Sequence, residues 1–314
     1  MWRYICARDW GSLPPMEHPG TARLHIVSGK GGVGKTTVAT ALASAYAQAG
    51  HETLLVSFDP GSSGHPCLGV RPTYKPVRVA PRLQLSRVEA RAALAEYVRR
   101  KMRWSLVYEG LLANPLVHRF LDALPLFDEL MCLGKLYDLT TDPDSPFEHV
   151  VFDAPATGHC QMLLNVPEVA ANTLVAGPVY RSAQQILKML RDATLTELIV
   201  VTLPEETPVR EALELTDYAE QQAQVNIRVV IANRVVAERL SAAEMADLAA
   251  SGAAFEPAVQ ALQLEHSIVQ EQSQQLARLA SAAAELLPCP ELAAGPELPI
   301  YEQLASHLGR ALVL

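Results

Sequence analysis

The chain has 314 residues, of which 49% are apolar and 19% are charged, and its formal net charge at pH 7 is −8. A chain of this size and balance can bury a substantial core, which excludes the disordered, collagen-like and coiled-coil classes. Its acidic character repels phosphate backbones, so nucleic acid is not expected as a partner.

Two further features of the composition concern the environment of the protein. The five cysteines are scattered and no two of them have C-x-x-C spacing, which favours a reducing, cytoplasmic setting over a disulfide or zinc framework. No apolar run reaches the length of about 18 residues that a membrane span requires, so stable membrane insertion is not expected.

In chain order, residues 1–22 contain Pro and Gly without apolar periodicity and are predicted to form a poorly ordered leader. Residues 23–314 are predicted to form a single domain in which short buried strands alternate with helices. The predicted strands are residues 23–28, 53–58, 149–153, 197–202, 226–233 and 285–288. The predicted helices include residues 36–49, 207–224, most of 237–282, and 300–312. This alternation predicts an α/β fold with a mostly parallel sheet that helices cover on both faces.

Residues 89–141 depart from the alternation and are predicted to form a helical insertion on the α/β core. Between Leu106 and Leu139 this segment carries more apolar side chains than one helix stripe needs. Two interpretations stay open: a groove for an apolar segment of a client, or helices that pack on each other and on the sheet.

A glycine-rich loop between the first predicted strand and the first predicted helix satisfies the pattern G-x-x-x-x-G-K-[ST], in the context that this pattern requires. Its backbone N–H groups and the following helix N-terminus can face the phosphates of a nucleotide. Lys35 is predicted to reach the β- and γ-phosphates, and the Thr36 hydroxyl to ligate Mg²⁺. The predicted nucleotide-binding residues of this segment are Gly29, Lys30, Gly31, Gly32, Val33, Gly34, Lys35, Thr36 and Thr37.

Lys30 is a second lysine, early in the loop, which the phosphates do not need from their own chain. It gives the deviant Walker A pattern G-K-G-G-x-G-K-[ST]-[ST]. Together with LLVSFDP at residues 54–60 and FDAPATGH at residues 152–159, the loop resembles the family of arsenite-pump (ArsA) ATPases and tail-anchored-protein targeting ATPases. A strand that ends at Asn233, and Leu287-Pro288 in the position of the family's closing loop, extend the resemblance along the chain.

The resemblance implies that the chain hydrolyses ATP with Mg²⁺ as cofactor. It assigns Asp59 to the attacking water and to the magnesium site, and Asp153, at the end of an apolar strand, to holding Mg²⁺ through water. The Gly158 amide would contact the γ-phosphate, while Asn233 and Pro288 would contact the nucleotide, with the Asn233 amide pairing with adenine. Lys30, Lys35 and Asp59 form the predicted catalytic set.

The resemblance also implies a homodimer in which Lys30 contacts the nucleotide of the partner. Three functions stay open: a switch that handles a client, the catalytic subunit of an arsenite or other anion pump, and a MinD/ParA-type positioning ATPase. Residues 61–63 read Gly-Ser-Ser where the family usually has Ala-His-Ser, which predicts a looser switch I. In the tail helix, Leu304, Leu308 and Leu312 share a face with Arg310 as the only cation, so lipid attraction would be weak.

Overall fold

One mixed sheet, with helices on both of its faces, forms the centre of the fold. The structure is a computed structural model, and it describes residues 22–58, 64–101, 126–173, 176–238, 242–250, 256–283, 285–292 and 298–312. Residues 1–21 of the predicted leader, Asp59, and the part of the apolar insertion from 102 to 125 lie outside these ranges. The strands are β1 (Leu24–Gly29), β2 (Thr53–Ser57), β3 (Val77–Ala80), β4 (Leu83–Arg87), β5 (His149–Ala156), β6 (Thr196–Thr202), β7 (Ile227–Val235) and β8 (Leu286–Pro290).

The helices of the described ranges connect these strands. They are α1 (Lys35–Ala49), α2 (Ala90–Lys101), α3 (Phe127–Thr141), α4 (Thr157–Thr173), α5 (Pro178–Arg191), α6 (Glu206–Tyr218), α7 (Ala242–Ala250), α8 (Glu256–Ala282) and α9 (Ile300–Leu312). A π-helical turn, Ala219–Ala223, continues α6. None of the helices in the described ranges combines the length and apolar character that crossing a membrane requires.

The strand order is β3-β4-β2-β5-β1-β6-β7-β8, and every adjacent pair is parallel except β3 with β4. The prediction of a mostly parallel α/β fold is therefore confirmed. The hairpin of β3 and β4 was not predicted. Its strands are short, β3 is only partly buried, and β4 reads Leu-Gln-Leu-Ser-Arg, so neither forms a continuous apolar run.

Two buried cores follow from the alternation of side chains along each strand. In β1, Leu24 and Ile26 join the core beneath α3, α4, α5 and α6, whereas Val27 joins the core beneath α1 and α9. Helix α1 is rich in Ala, Ser and Thr, whose small side chains allow close packing. Gly50, at φ 107°, ends α1 in the left-handed conformation that glycine adopts without strain.

The structure corrects three predicted positions. Strand β7 continues to Val235, so Asn233 lies inside the strand and not at its end. Strand β5 extends to Ala156, which pairs with Gly29, so Asp153 lies inside the strand and not at its end. Pro288 pairs with Ala232 inside β8, in agreement with the strand predicted for residues 285–288, and does not lie in the closing loop that the resemblance implies. β8 is the last strand in the sheet order, and an edge strand tolerates the missing N–H of proline.

The ends of the predicted insertion are helical, as α2 and α3. In the described part of its apolar segment, Leu133 is fully buried, and Leu130 and Met131 pack against the core. For these residues the packing interpretation holds. The rest of the predicted groove lies outside the described ranges.

Candidate active site

The phosphate loop leaves the sheet at the carboxyl end of β1, and two of its glycines are required by their surroundings. Gly29 has φ 151°, and a Cβ on it would lie 1.9 Å from the Val201 carbonyl oxygen of β6. Gly34, at φ 97°, precedes the first residue of α1 and occupies the left-handed region. The loop is thus pressed against β6 and turns directly into the helix N-terminus, where backbone N–H groups are available to an anion.

Two predicted metal residues converge beside this loop. The Thr36 hydroxyl in the first turn of α1 donates a hydrogen bond of 2.7 Å to Asp153 Oδ2 on β5. Both are oxygen ligands, the type that Mg²⁺ prefers, and Mg²⁺ at a nucleotide site keeps waters and phosphate oxygens as its other ligands. The residues present therefore fit a magnesium ion bound together with a nucleotide. Over the described residues, no group of three or more His, Cys, Asp or Glu forms a separate metal site.

Lys35 is folded back over its own loop. Its Nζ donates to the Lys30 carbonyl oxygen at 3.0 Å. Burial lowers the pKa of Lys35, while the nearby Asp153 carboxylate raises it. The ammonium group thus lies in the electrostatic field of the predicted metal ligand, close to where the phosphates of a nucleotide would enter.

The Lys30 side chain has a partner that the sequence did not suggest. Its Nζ lies 2.7 Å from Glu211 Oε1 on α6, and about one third of each side chain is exposed. The pair joins residues far apart in sequence, and nothing in the local pattern around Glu211 predicts it. Because each side chain keeps this exposure, the ion pair stabilises the fold little and can exchange partners.

Asn233, on strand β7, also contacts the loop. It is buried, and its Nδ2 donates to the Val33 carbonyl oxygen at 2.9 Å. A Cβ on Gly34 would lie 2.5 Å from the same nitrogen. Asn233 therefore touches the loop backbone, in addition to its predicted contact with adenine.

The remaining predicted residues are placed less centrally. Gly158 is exposed in the first turn of α4, directly after β5. The Ser28 hydroxyl donates to the Pro155 carbonyl oxygen at 2.8 Å, which links the loop to the segment before Gly158. Buried Pro288 accepts a hydrogen bond of 3.4 Å from His307 Nε2 through its carbonyl. The nucleotide contacts of Gly158 and Pro288 stay predictions.

His65, which follows the Asp59 segment, is a buried histidine that the sequence does not single out. His65 is 3% exposed, and neither ring nitrogen has a hydrogen-bond partner. Burial lowers its pKa to about 4. Two residues later, Cys67 Sγ lies 3.9 Å from the Thr37 hydroxyl, which places this turn against the start of α1. Because no motif contains His65, the sequence does not predict its burial.

The fold and this loop define the class of P-loop nucleotide hydrolases. Residues 22–177, about half of the chain, match the sequence model of a family described as "Anion-transporting ATPase". The "ATPase BagA" of Mycobacterium tuberculosis is 28% identical over 237 residues, which cover 72% of this chain and 69% of that protein. The "Putative arsenical pump-driving ATPase" of Halobacterium salinarum is 28% identical over 246 residues, covering 72% of this chain and 37% of that protein. "ATPase GET3C" of Arabidopsis thaliana is 25% identical over 244 residues, covering 62% of each chain.

The chain belongs to this ArsA family of ATPases, and it is an ATP hydrolase. The resemblance found in the loop and in the segments around Asp59 and Asp153 is thereby confirmed.

Proposed function

We propose that this chain is a Mg²⁺-dependent ATPase that works as a nucleotide-switched homodimer and couples hydrolysis to the handling of a client or an anion. The observation that carries the proposal is the 2.7 Å contact between the Thr36 hydroxyl and the Asp153 carboxylate beside the loop. A hydroxyl from the loop and a carboxylate from a neighbouring strand are the pair that P-loop enzymes use at their magnesium site.

Each residue then has a defined task. The loop amides and Lys35 bind the phosphates, and Thr36 and Asp153 hold the magnesium ion, which neutralises charge that develops on the phosphate oxygens. Asp59 orients the attacking water, and Gly158 contacts the γ-phosphate. Most of the catalysis is positioning and electrostatic stabilisation, since phosphoryl transfer needs little covalent chemistry from the protein.

Lys30 acts in the partner's site. Its own loop already supplies Lys35, and the Lys30 ammonium lies with Glu211 on α6. A cation that reaches the partner's phosphates only when the dimer closes stabilises the transition state without tightening ground-state binding. Such an arrangement makes ATP hydrolysis depend on formation of the dimer.

A client is favoured over a trivalent metalloid as the coupled substrate. Metalloids of this kind bind thiolates, and burial raises the pKa of Cys132, Cys160 and Cys289. Half-buried Cys67 has a raised pKa for the same reason. The printed name of the Halobacterium relative keeps an arsenical pump as the second candidate. ATPase stimulation by an apolar peptide, compared with stimulation by arsenite, separates the two.

A MinD/ParA-type positioning ATPase fits less well. Such proteins need an amphipathic C-terminal helix that is free to bind a membrane. Here Leu304, Leu308 and Leu312 of α9 are buried in the core that α9 shares with α1. We also infer from the free state of the four described cysteines that the protein works in the cytoplasm.

The proposal is tested by ATP hydrolysis with and without Mg²⁺, in the wild type and in Asp59→Asn. We expect Asp59→Asn to bind ATP and to lose turnover on the order of a hundredfold or more, because the water is no longer oriented. Asp144→Asn, in an exposed turn before β5, is the matched control and should hydrolyse ATP normally. Near wild-type hydrolysis in Asp59→Asn would remove it from the catalytic set.

A further inference from the structure

Asn233 is held against the phosphate loop by a feature of strand β7. The pairing of β7 with β8 shifts register between Ala232 and Val235, so the strand is irregular at Asn233. Arg234, which follows, has φ 55°, a left-handed conformation that costs free energy for any residue with a Cβ. Irregular strand positions of this kind redirect a side chain, and strained backbone near a site commonly has a functional reason.

The redirected side chain meets the loop at one peptide group. Asn233 Nδ2 donates to the Val33 carbonyl oxygen at 2.9 Å. A trans peptide is planar, so the carbonyl of Val33 and the N–H of Gly34 point in opposite directions. A bond that holds this carbonyl toward Asn233 therefore holds the Gly34 N–H away from Asn233.

Gly34 shows how closely the two segments approach. With φ 97°, it already has a conformation that other residues rarely adopt, and a Cβ on it would lie 2.5 Å from Asn233 Nδ2. The glycine thus leaves room for the amide, and the amide fixes the peptide beside the glycine.

We propose that Asn233 is a positioning residue for the phosphate loop: through Val33 it aims the Gly34 N–H at the phosphates. This role rests on the proposed nucleotide site and extends it. The side-chain amide has two N–H donors and one carbonyl, so one bond to the loop leaves capacity for a base. Loss of Asn233 then weakens recognition of the phosphate chain itself, and not only of the base.

Inorganic tripolyphosphate is the probe, because it carries the phosphates and no base. Calorimetric titration with Mg²⁺-tripolyphosphate and with Mg²⁺-ATP compares the wild type, Asn233→Ala and Asn226→Ala. Asn226 is an exposed asparagine just before the opposite end of β7, and its variant should bind both ligands as the wild type does. We expect Asn233→Ala to bind tripolyphosphate about five- to tenfold more weakly, the effect of losing one buried hydrogen bond, and ATP more weakly still.

Two outcomes separate this role from the proposed function. If Asn233→Ala weakens ATP binding and leaves tripolyphosphate binding unchanged, Asn233 serves the base alone and the positioning role is wrong, while the ATPase proposal stands. If the wild type binds neither ligand, the nucleotide site itself is wrong and the positioning role fails with it.

Hydrogen exchange in the nucleotide-free protein gives a readout that base recognition does not affect. We expect faster exchange at residues 30–36 in Asn233→Ala, with β1 and β5 unchanged. Unaltered exchange in the loop would overturn the proposal. If Asn233→Ala does not fold, as judged by its melting transition, Asn233→Ser takes its place, because a serine hydroxyl is too short to reach Val33.

Discussion

The parallel strands have polar side chains at both of their ends, and the two ends differ in what those side chains bind. The end at which the strands begin is called the amino edge here, and the end at which they finish the carboxyl edge. At the amino edge, His25 Nδ1 lies 2.7 Å from Glu197 Oε1, and His25 Nε2 lies 3.0 Å from His149 Nδ1. The ring of Tyr46 stacks on both imidazoles. His25 is fully buried and Glu197 is 3% exposed, so this edge satisfies its polar atoms internally.

At the carboxyl edge, the polar groups surround the phosphate loop, in which Gly31 and Gly32 are exposed. Lys30 and Glu211 are about one third exposed, and Lys35 binds a carbonyl of its own loop. The first strand leads through that loop into a helix N-terminus, which is where open α/β sheets bind their ligands. The amino edge has more histidines, yet the carboxyl edge has the available N–H groups. A cluster of titratable residues therefore does not by itself identify a site in this fold.

The largest expected effect comes from adding a side chain at Gly29, where the phosphate loop leaves the carboxyl end of β1. In Gly29→Ala, a Cβ would lie 1.9 Å from the Val201 carbonyl oxygen, so β1 and β6 must separate. We expect the free energy of unfolding to fall by more than about 4 kcal/mol, the range of severe steric changes, together with loss of ATP binding. Urea unfolding measures the first and calorimetry the second. Gly31→Ala is the control, because its Cβ would meet nothing within 4 Å and should leave the fold intact. Equal stability of both variants would contradict the close approach at Gly29.

A substitution at the amino edge should change the stability of the fold and leave the ATPase activity unchanged. Glu197→Ala removes the hydrogen-bond partner of buried His25, and leaving a buried polar group without a partner costs about 1–3 kcal/mol. ATPase activity per folded molecule should not change, because Glu197 lies at the opposite end of β6 from the loop. Urea unfolding and steady-state kinetics on the same preparation check both parts. A fall in kcat/KM comparable to that of a loop variant would show that the edges are coupled.

Each edge also has a histidine whose lowered pKa makes the free energy of unfolding depend on pH. Burial, followed by the electrostatic influence of His25 and His51, lowers the pKa of His149 to about 3, against a hydrogen bond with the Ala22 backbone and the attraction of Glu148. The unfolded chain has a histidine pKa of about 6.5, so it binds more protons below that pH and the fold loses stability there. We expect the free energy of unfolding to be highest above pH 6.5 and to fall toward pH 4.

His149→Asn should reduce that slope by about one proton, or about 1.4 kcal/mol per pH unit at most. His65→Gln should reduce it over the same range at the other edge, since the pKa of His65 is lowered to about 4. Urea unfolding at pH 7, 6 and 5 measures both variants. A slope that neither variant changes would mean that other groups control acid sensitivity.

The sequence predicted the residues of the site better than the contacts that hold them in place. The loop, Thr36 and Asp153 were predictable because each lies in a local pattern next to a buried run of residues. Asn233 was placed at a strand end, but its bond to Val33 depends on an irregular strand that no sequence pattern around Arg234 reveals. The Glu211 partner of Lys30 and the burial of His65 arise from packing between distant segments. The β3–β4 hairpin lacked the continuous apolar runs that identified the central strands.

The central claim is that hydrolysis occurs in a dimer, with Lys30 acting on the partner's nucleotide. Mixing two inactive variants, Lys30→Ala and Lys35→Ala, tests it most directly. In a mixed dimer the Lys35→Ala chain still carries Lys30 and can present it to the loop of its partner, which keeps Lys35. We predict that each variant alone is inactive and that activity returns on mixing, rising with the fraction of mixed dimers. Mixed dimers that form and stay inactive would contradict the claim and would assign Lys30 to its own chain.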